Sequence, residues 1–239
     1  MKEKNLIFAS ASFHPNRKNI IFKKKDILQR EEDYLFCLKQ LIRVAPDIFD
    51  IYIVDNTIND VDSLLNNELK VLLKDTNVMF TKESINKKTK NIGVGELKEL
   101  FHLENNINFE NYAKVCYFSA RRFITNPYVF EKTINLKKDA LLSNPDFIYL
   151  NGEVVKSEKK GMYNDMFFAM KTPTMQEYIN FSKDRIDYLD ENMINSESNL
   201  YDFITKFNVA SEHLDILGFF RYDYYKKNDS KNSDKYHFI

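Results

Sequence analysis

The sequence predicts an α/β chain with a mainly parallel central sheet flanked by helices and a helical C-terminal section. Three observations carry that prediction. An apolar run ending in small residues, Asn5 to Ser12, is followed by a basic, polar loop and then by apolar residues at helical spacing. A second run, Ile51-Tyr52-Ile53-Val54, is continuous and apolar, as in a strand buried on both faces, and ends at the polar Asp55-Asn56-Thr57. Two further short apolar runs, Val78 to Thr81 and Lys114 to Phe118, recur after intervening helix-like segments. In open sheets of this kind ligands are met beyond the carboxyl ends of the strands.

Taken in order, Asn5 to Ser12 is the first strand, and the segment containing His14-Pro15-Asn16-Arg17-Lys18 is the loop it feeds. From Asp26 to Val44, Ile27, Tyr34, Leu35, Leu38, Leu41 and Ile42 mark one face of a helix that Pro46 ends. Ile51 to Val54 is the second strand, Val61 to Leu73 a short helix and Val78 to Thr81 the third strand. Gly93 and Gly95 precede the helix-like Leu97 to Leu103, and Lys114 to Phe118 is the fourth strand. Phe147 to Leu150, turning at Asn151-Gly152 into Glu153-Val154-Val155, reads as a hairpin that adds an antiparallel element. Asp184 to Asp190 and Ser196 to Ile204 are helical, the second capped by Ser196 or Ser198, and Thr172-Pro173-Thr174 is a break ahead of this helical section. No internal repeat is present. The expected organisation is one unit over 1–225 and a polar tail over 226–239.

Composition narrows the function classes. The chain has 239 residues, with 35 Lys and Arg against 35 Asp and Glu, so net charge offers no argument for binding nucleic acid or anionic lipid. With 20 Phe and 14 Tyr it has the large side chains for a self-sufficient core, which at this length removes about 70–75% of the unfolded surface from water. Cys37 and Cys116 form at most one bridge and cannot make a four-thiolate zinc site. No apolar run reaches about 18 residues, so membrane contact is at most peripheral, and the expected location is cytoplasmic. The four histidines are dispersed and no G-x-S-x-G elbow occurs, which argues against a histidine-rich metal site and against acyl chemistry.

Three segments carry chemistry. Asn91-Ile92-Gly93-Val94-Gly95-Glu96 places an N–H-rich turn ahead of a helix, where a diphosphate can sit; the same glycines also suit a simple turn and helix start. Arg121 and Arg122 follow the fourth strand directly, and two guanidiniums there suit phosphate oxygens, or equally neighbouring surface carboxylates. Asp165 stands within Gly161 to Met170 among aromatic and sulfur side chains, a setting that raises a carboxyl pKa toward that of a general base; the alternative is a turn or helix cap.

Ser10-Ala11-Ser12, Asp55-Asn56-Thr57, Lys90 to Glu96, Phe118 to Phe123, Tyr163 to Phe168, and Glu197 with Leu200-Tyr201 together resemble small bacterial and viral glycosyltransferases of the GT-A type, over about residues 5–220. The resemblance implies a single GT-A-like, Rossmann-like domain that transfers a sugar from a nucleotide-diphosphate sugar to a hydroxyl of a glycan or related acceptor, often with a divalent ion such as Mn²⁺ or Mg²⁺. It implies nucleotide contacts at Ser10, Asp55, Asn56, Asn91, Gly93 and Glu96, donor phosphate or sugar contacts at Arg121 and Arg122, support of donor or acceptor by Glu197, and Asp165 as base. Relatives commonly carry glycine where this chain has Ala120, and no D-x-D follows the fourth strand. The alternatives are another nucleotide-binding transferase, such as a nucleotidyltransferase, and a non-catalytic carbohydrate-binding or scaffold protein.

Overall fold

The structure is a computed structural model that describes residues 4–15, 23–81, 91–143, 147–150, 153–156, 163–214 and 219–221. Of Ile92, Asn164, Asp165 and the segments 147–150, 153–156 and 219–221 it describes the backbone. The tail over 226–239, the Asn151-Gly152 turn and Gly161 lie outside these residues.

Strand β1 (Asn5–Ala11) is buried along its whole length, and its side chains alternate between two cores. Ile7, Ala9 and Ala11 face one apolar cluster, and Leu6 and Phe8 the other. Helix α1 (Lys24–Val44) lays Tyr34, Leu38 and Leu41 on the first face and ends at Ala45, whose extended backbone (φ −67°, ψ 130°) is what the following proline requires. Strand β2 (Phe49–Asp55) then pairs in parallel with β1, from Asn5 with Phe49 to Ala11 with Asp55.

The predicted helix over 61–73 is a 3-10 turn at Val61–Ser63 followed by α2 (Asn67–Lys74), which Asn66 caps through a bond from the Leu69 N–H. β3 (Asn77–Phe80) pairs in parallel with β2. Helix α3 (Ile92–Asn106) crosses on the other face, with Val94, Leu97, Leu100 and Leu103 in the second core, and leads to β4 (Lys114–Ser119), which lies parallel to β1 on its far side. β4 turns at once into β5 (Arg122–Ile124), which is pinned to α1 by the stacked rings of Phe36 and Phe123, with centroids 4.7 Å apart.

The second half holds shorter strands and one whose apolar run, 166–170, lies within a segment read for its chemistry. After α4 (Tyr128–Ile134), β6 (Ala140–Ser143) is followed by the antiparallel pair β7 (Phe147–Leu150) and β8 (Glu153–Lys156), the expected hairpin, which forms a sheet of its own. The Gly161–Met170 segment contributes β9 (Asn164–Lys171), inserted antiparallel between β4 and β6. Thr172-Pro173-Thr174 is not a break: it opens α5 (Thr172–Lys183), where a proline has no hydrogen bond to lose. α6 (Ile186–Glu191) and α7 (Ser196–Lys206) complete the helical section. Asn195, rather than Ser196 or Ser198, caps α7 by accepting from the Ser198 N–H. β10 (Ser211–Leu214) pairs in parallel with β6, and β11 (Phe219–Arg221) pairs with β5.

The main sheet has seven strands in the order β10-β6-β9-β4-β1-β2-β3, of which β9 alone runs against the others. The chain steps outward from β1 to β3 and then returns to the other side of β1 with β4. The connection changes face as it does so: α1 and α2 cover the first core and α3 the second. The β1/β4 boundary is therefore the place where the strand order reverses, and the connections leaving both strands run to one face, with α1 after β1 and β5 and α4 after β4 packed together on the first core.

Candidate functional site

At that boundary β4 continues the β1 ladder one residue beyond Ser119, because the Ala120 N–H donates to the Ser10 carbonyl at 2.9 Å. The expected residues gather around this edge in two groups. Ser10, whose side chain shares the α3 face with Phe8, donates its hydroxyl to Oε2 of Glu99. Glu99 is fully buried, Asn56 also bonds its carboxyl, and its other oxygen, Oε1, has no partner among the described residues. Burial drives the Glu99 pKa well above the ordinary glutamate value; the Ser10 bond opposes this, the nearby Asp55 and Glu96 charges add to it, and the Asn56 bond opposes it. Its burial and acidic neighbours therefore favour the neutral acid.

Asp55 points to the opposite face and ties loops together. Its oxygens accept the backbone N–H groups of Phe13 (2.7 Å), Thr57 (2.6 Å) and Ile58 (2.9 Å) and the Thr57 hydroxyl. Burial raises its pKa, while those donors pull it back.

The second group joins α3 to α7. Asn91 caps α3 by accepting the Gly93 N–H at 3.0 Å, and its amide donates to the carbonyls of Leu189 (3.1 Å) and Ile194. Gly93 is required by close approach: a Cβ there would lie 2.5 Å from the Ser196 nitrogen, which is backbone and cannot swing away. Three residues on, Glu96 accepts the Ser196 hydroxyl at 3.0 Å. Glu197 accepts from the Asn195 amide at 3.0 Å, and its carbonyl receives the Tyr163 N–H at 3.4 Å, which sets the start of α7 beside the start of β9.

Arg121 occupies the turn between β4 and β5, Arg122 opens β5, and both are half-buried. Asp165 follows the first residue of β9, and its side chain lies outside the described residues. Its backbone is at the same sheet edge, because β9 runs antiparallel and Phe167 pairs with Phe118 near the end of β4. The register with β6 jumps there, from Leu142 opposite Phe168 to Ser143 opposite Asn164, so Asp165, Met166 and Phe167 form a bulge. Bulges of this kind re-aim side chains beside active sites.

Three features escape a reading of motifs. Glu99 stands between Glu96 and Leu103 at helical spacing, beside the apolar Leu100, and a carboxylate interrupting the core-facing positions is its signal. Glu31 fills the gap in the α1 stripe between Ile27 and Tyr34, and it receives His14 from the β1 loop at 2.6 Å. Ser196 and Asn195 carry no pattern beyond a helix cap.

Among the described residues no group of three or more His, Cys, Asp or Glu side chains is placed to hold a metal. The carboxyl groups nearest the edge are engaged, Asp55 by its loop and Glu99 by Ser10 and Asn56. A shallow groove of about 350 Å³ bordered by Phe181, Arg185, Tyr201, Asp202, Thr205 and Lys206 lies toward the far end of α7 from Ser196 and belongs to neither group. Both cysteines are free and buried, and among the described residues no helix is long and apolar enough to cross a membrane.

No protein-family model and no curated protein matches the chain. Solved structures do match. A protein described as a nucleotide-diphospho-sugar transferase from Desulfovibrio desulfuricans superposes with a TM-score of 0.52 at 13% identity, covering 99% of this chain and 93% of that one. The 4-diphosphocytidyl-2C-methyl-D-erythritol synthase of Anaerococcus prevotii gives 0.51 at 13% identity, covering 90% and 89%. At this identity the likeness shows the fold: a Rossmann-like α/β domain with a mixed, mostly parallel sheet and a helical C-terminal region. It does not single out the GT-A glycosyltransferases among the proteins that share that fold.

Proposed function

We propose that the chain is a nucleotide-dependent transferase that seats a nucleotide-linked donor in the crevice at the β1/β4 boundary and moves a sugar or nucleotidyl group to an acceptor. The supporting observation is the reversal of strand order at that boundary, with Ser10, Asn56, Arg121 and Arg122 at or just beyond the carboxyl ends of the neighbouring strands β1, β2 and β4. The two solved structures named above, whose descriptions concern nucleotide-linked compounds, support the same class.

In this reading Ser10, Asn56 and Glu96 line the base and ribose side, with Glu99 fixing the first two. Asp55, Asn91, Gly93 and Glu197 act by holding the loops and α7 in place. Arg121 and Arg122 take the phosphate charge that grows as the leaving group departs, a role that bidentate guanidinium contacts suit. Where the transfer is glycosyl, Asp165 accepts the proton of the acceptor hydroxyl as that oxygen bonds to the anomeric carbon and the bond to the nucleoside diphosphate breaks. Where it is nucleotidyl, a phosphate oxygen of the acceptor bonds to the α-phosphorus of a nucleoside triphosphate, pyrophosphate leaves, and no base is needed.

The leaving group distinguishes the two. Release of nucleoside diphosphate from UDP-, GDP-, CDP- or dTDP-sugars identifies glycosyl transfer, and Asp165→Asn then lowers turnover about 10²–10⁴-fold with donor affinity retained. Release of pyrophosphate from a nucleoside triphosphate with a sugar phosphate identifies nucleotidyl transfer. Neither product from folded protein that binds these donors would leave a non-catalytic binding role.

A further inference from the structure

His14 lies three residues beyond the end of β1, in the first loop to leave the β1/β4 boundary. Its ring Nε2 meets Glu31 Oε1 at 2.6 Å; the glutamate side chain is 0% exposed and the imidazole 21%. The same carboxylate accepts the N–H groups of Leu65 (2.9 Å) and Asn66 (2.6 Å), where the chain enters α2. The glutamate is thus fixed from both sides, and it fixes the ring.

The backbone beneath the ring is held as firmly. The His14 N–H donates to the Thr57 hydroxyl at 2.9 Å and the Phe13 N–H to Asp55 at 2.7 Å. The Ser12 N–H donates to the Tyr34 hydroxyl at 2.8 Å, and the Ser12 carbonyl receives Arg30 Nε at 2.6 Å. A loop that needed only to connect β1 to α1 would not require a buried carboxylate to orient its one imidazole.

A carboxylate on Nε2 leaves Nδ1 as the nitrogen that can serve a ligand. Among the described residues Nδ1 makes no hydrogen bond. The charged groups packed around the loop are Glu31 and Arg30 from α1 and Asp55 from the end of β2. Arg30 is engaged with Ser12 and the Tyr34 hydroxyl, and the Asp55 oxygens are turned to loop N–H groups and to Thr57. Glu31 is therefore the charged group in direct contact with the ring.

We propose that His14, oriented by Glu31, is an anion-binding residue of the crevice whose Nδ1–H, in the imidazolium form, donates to a phosphate oxygen of the nucleotide-linked substrate. The inference rests on the function proposed above and adds to it a phosphate-binding residue. Glu31 supports it: burial acts to raise its pKa, but the His14 bond and the Leu65 and Asn66 N–H groups outweigh burial and keep it below the ordinary glutamate value, so the group facing the ring is a carboxylate.

The test is calorimetric titration of the full chain with inorganic pyrophosphate and with UDP, GDP and CDP at a single pH. His14→Gln and Glu31→Gln are compared with wild type after their melting temperatures are checked. His14→Gln keeps an amide donor for Glu31, and Glu31→Gln keeps an acceptor for Leu65 and Asn66. The expected result is wild-type binding about 10–100-fold tighter than His14→Gln, the range of a hydrogen bond to a charged group, with Glu31→Gln losing part of that advantage. Equal affinity of wild type and His14→Gln, with the probes bound, would overturn the role of His14 and leave the transferase reading standing. No binding of any probe by wild type would overturn both.

Discussion

Glu31 and Glu99 are wholly buried glutamates packed against opposite faces of one sheet, at the same edge, and they differ in the proton they carry. Glu31 receives an imidazole and two backbone N–H groups, and its pKa falls despite burial. Glu99 receives a serine hydroxyl and an asparagine amide, has acidic rather than basic neighbours in Asp55 and Glu96, and its pKa rises well above the ordinary value. Burial is common to both, so the donors and the charge of the neighbours decide the protonation state. On the α1 side a buried carboxylate orients a ring, and on the α3 side a buried carboxyl group orients Ser10 and Asn56.

The contrast breaks most severely at Glu31. Glu31→Ala leaves the Leu65 and Asn66 N–H groups and the His14 ring without their acceptor, and an expected loss of about 3–5 kcal/mol should appear in urea unfolding. Glu31→Gln keeps an acceptor and should cost clearly less. Equal small costs for the two would mean that the clamp is ornamental to stability. Gly93→Ala comes next. It drives a Cβ into the backbone of Ser196, and separating α3 from α7 should cost about 1–3 kcal/mol, read as a lower melting temperature.

The smallest effect sharpens the comparison most. Glu99 has a folded pKa above its unfolded value near 4.5, so the stability it contributes is fully present below that pH and is lost as pH rises through the folded value. Glu99→Gln removes this loss, and the variant should gain on wild type as pH climbs from about 5 to about 8. A constant difference over that range would show that Glu99 is not the proton holder. Glu31 has the opposite sign: its folded pKa lies below 4.5, so its contribution is present above that value and is lost on acidification through the folded pKa.

Much of the first half of the fold was legible because it is written in long, distinct patterns. β1, α1 and β2 appear as an apolar run, a helical stripe and a second run, and Pro46 marks where α1 stops. The second half was harder. β6 and β10 are four residues each and β9 has polar ends, and their order is set by long-range pairing, β9 with β4, β6 with β9 and β10 with β6, rather than by local pattern. Pro173 illustrates the difficulty, since a proline ends one helix and begins another with equal ease, and only the neighbouring strand shows which. For the candidate residues, placement at strand ends was legible, as with Ser10, Asp55, Asn56 and Arg121. What the sequence hid was partnership: that Ser10 meets Glu99 across 89 positions, and that His14 meets Glu31.

The most direct test of the central claim, that the β1/β4 edge is a nucleotide-phosphate site, is titration of wild type and the double variant Arg121→Ala, Arg122→Ala with UDP, GDP, CDP and dTDP at one pH near 7. Binding of at least one nucleotide, weakened about tenfold or more in a double variant that remains folded, is the predicted result. Equal affinity in the two proteins, or no nucleotide bound by wild type, would contradict it.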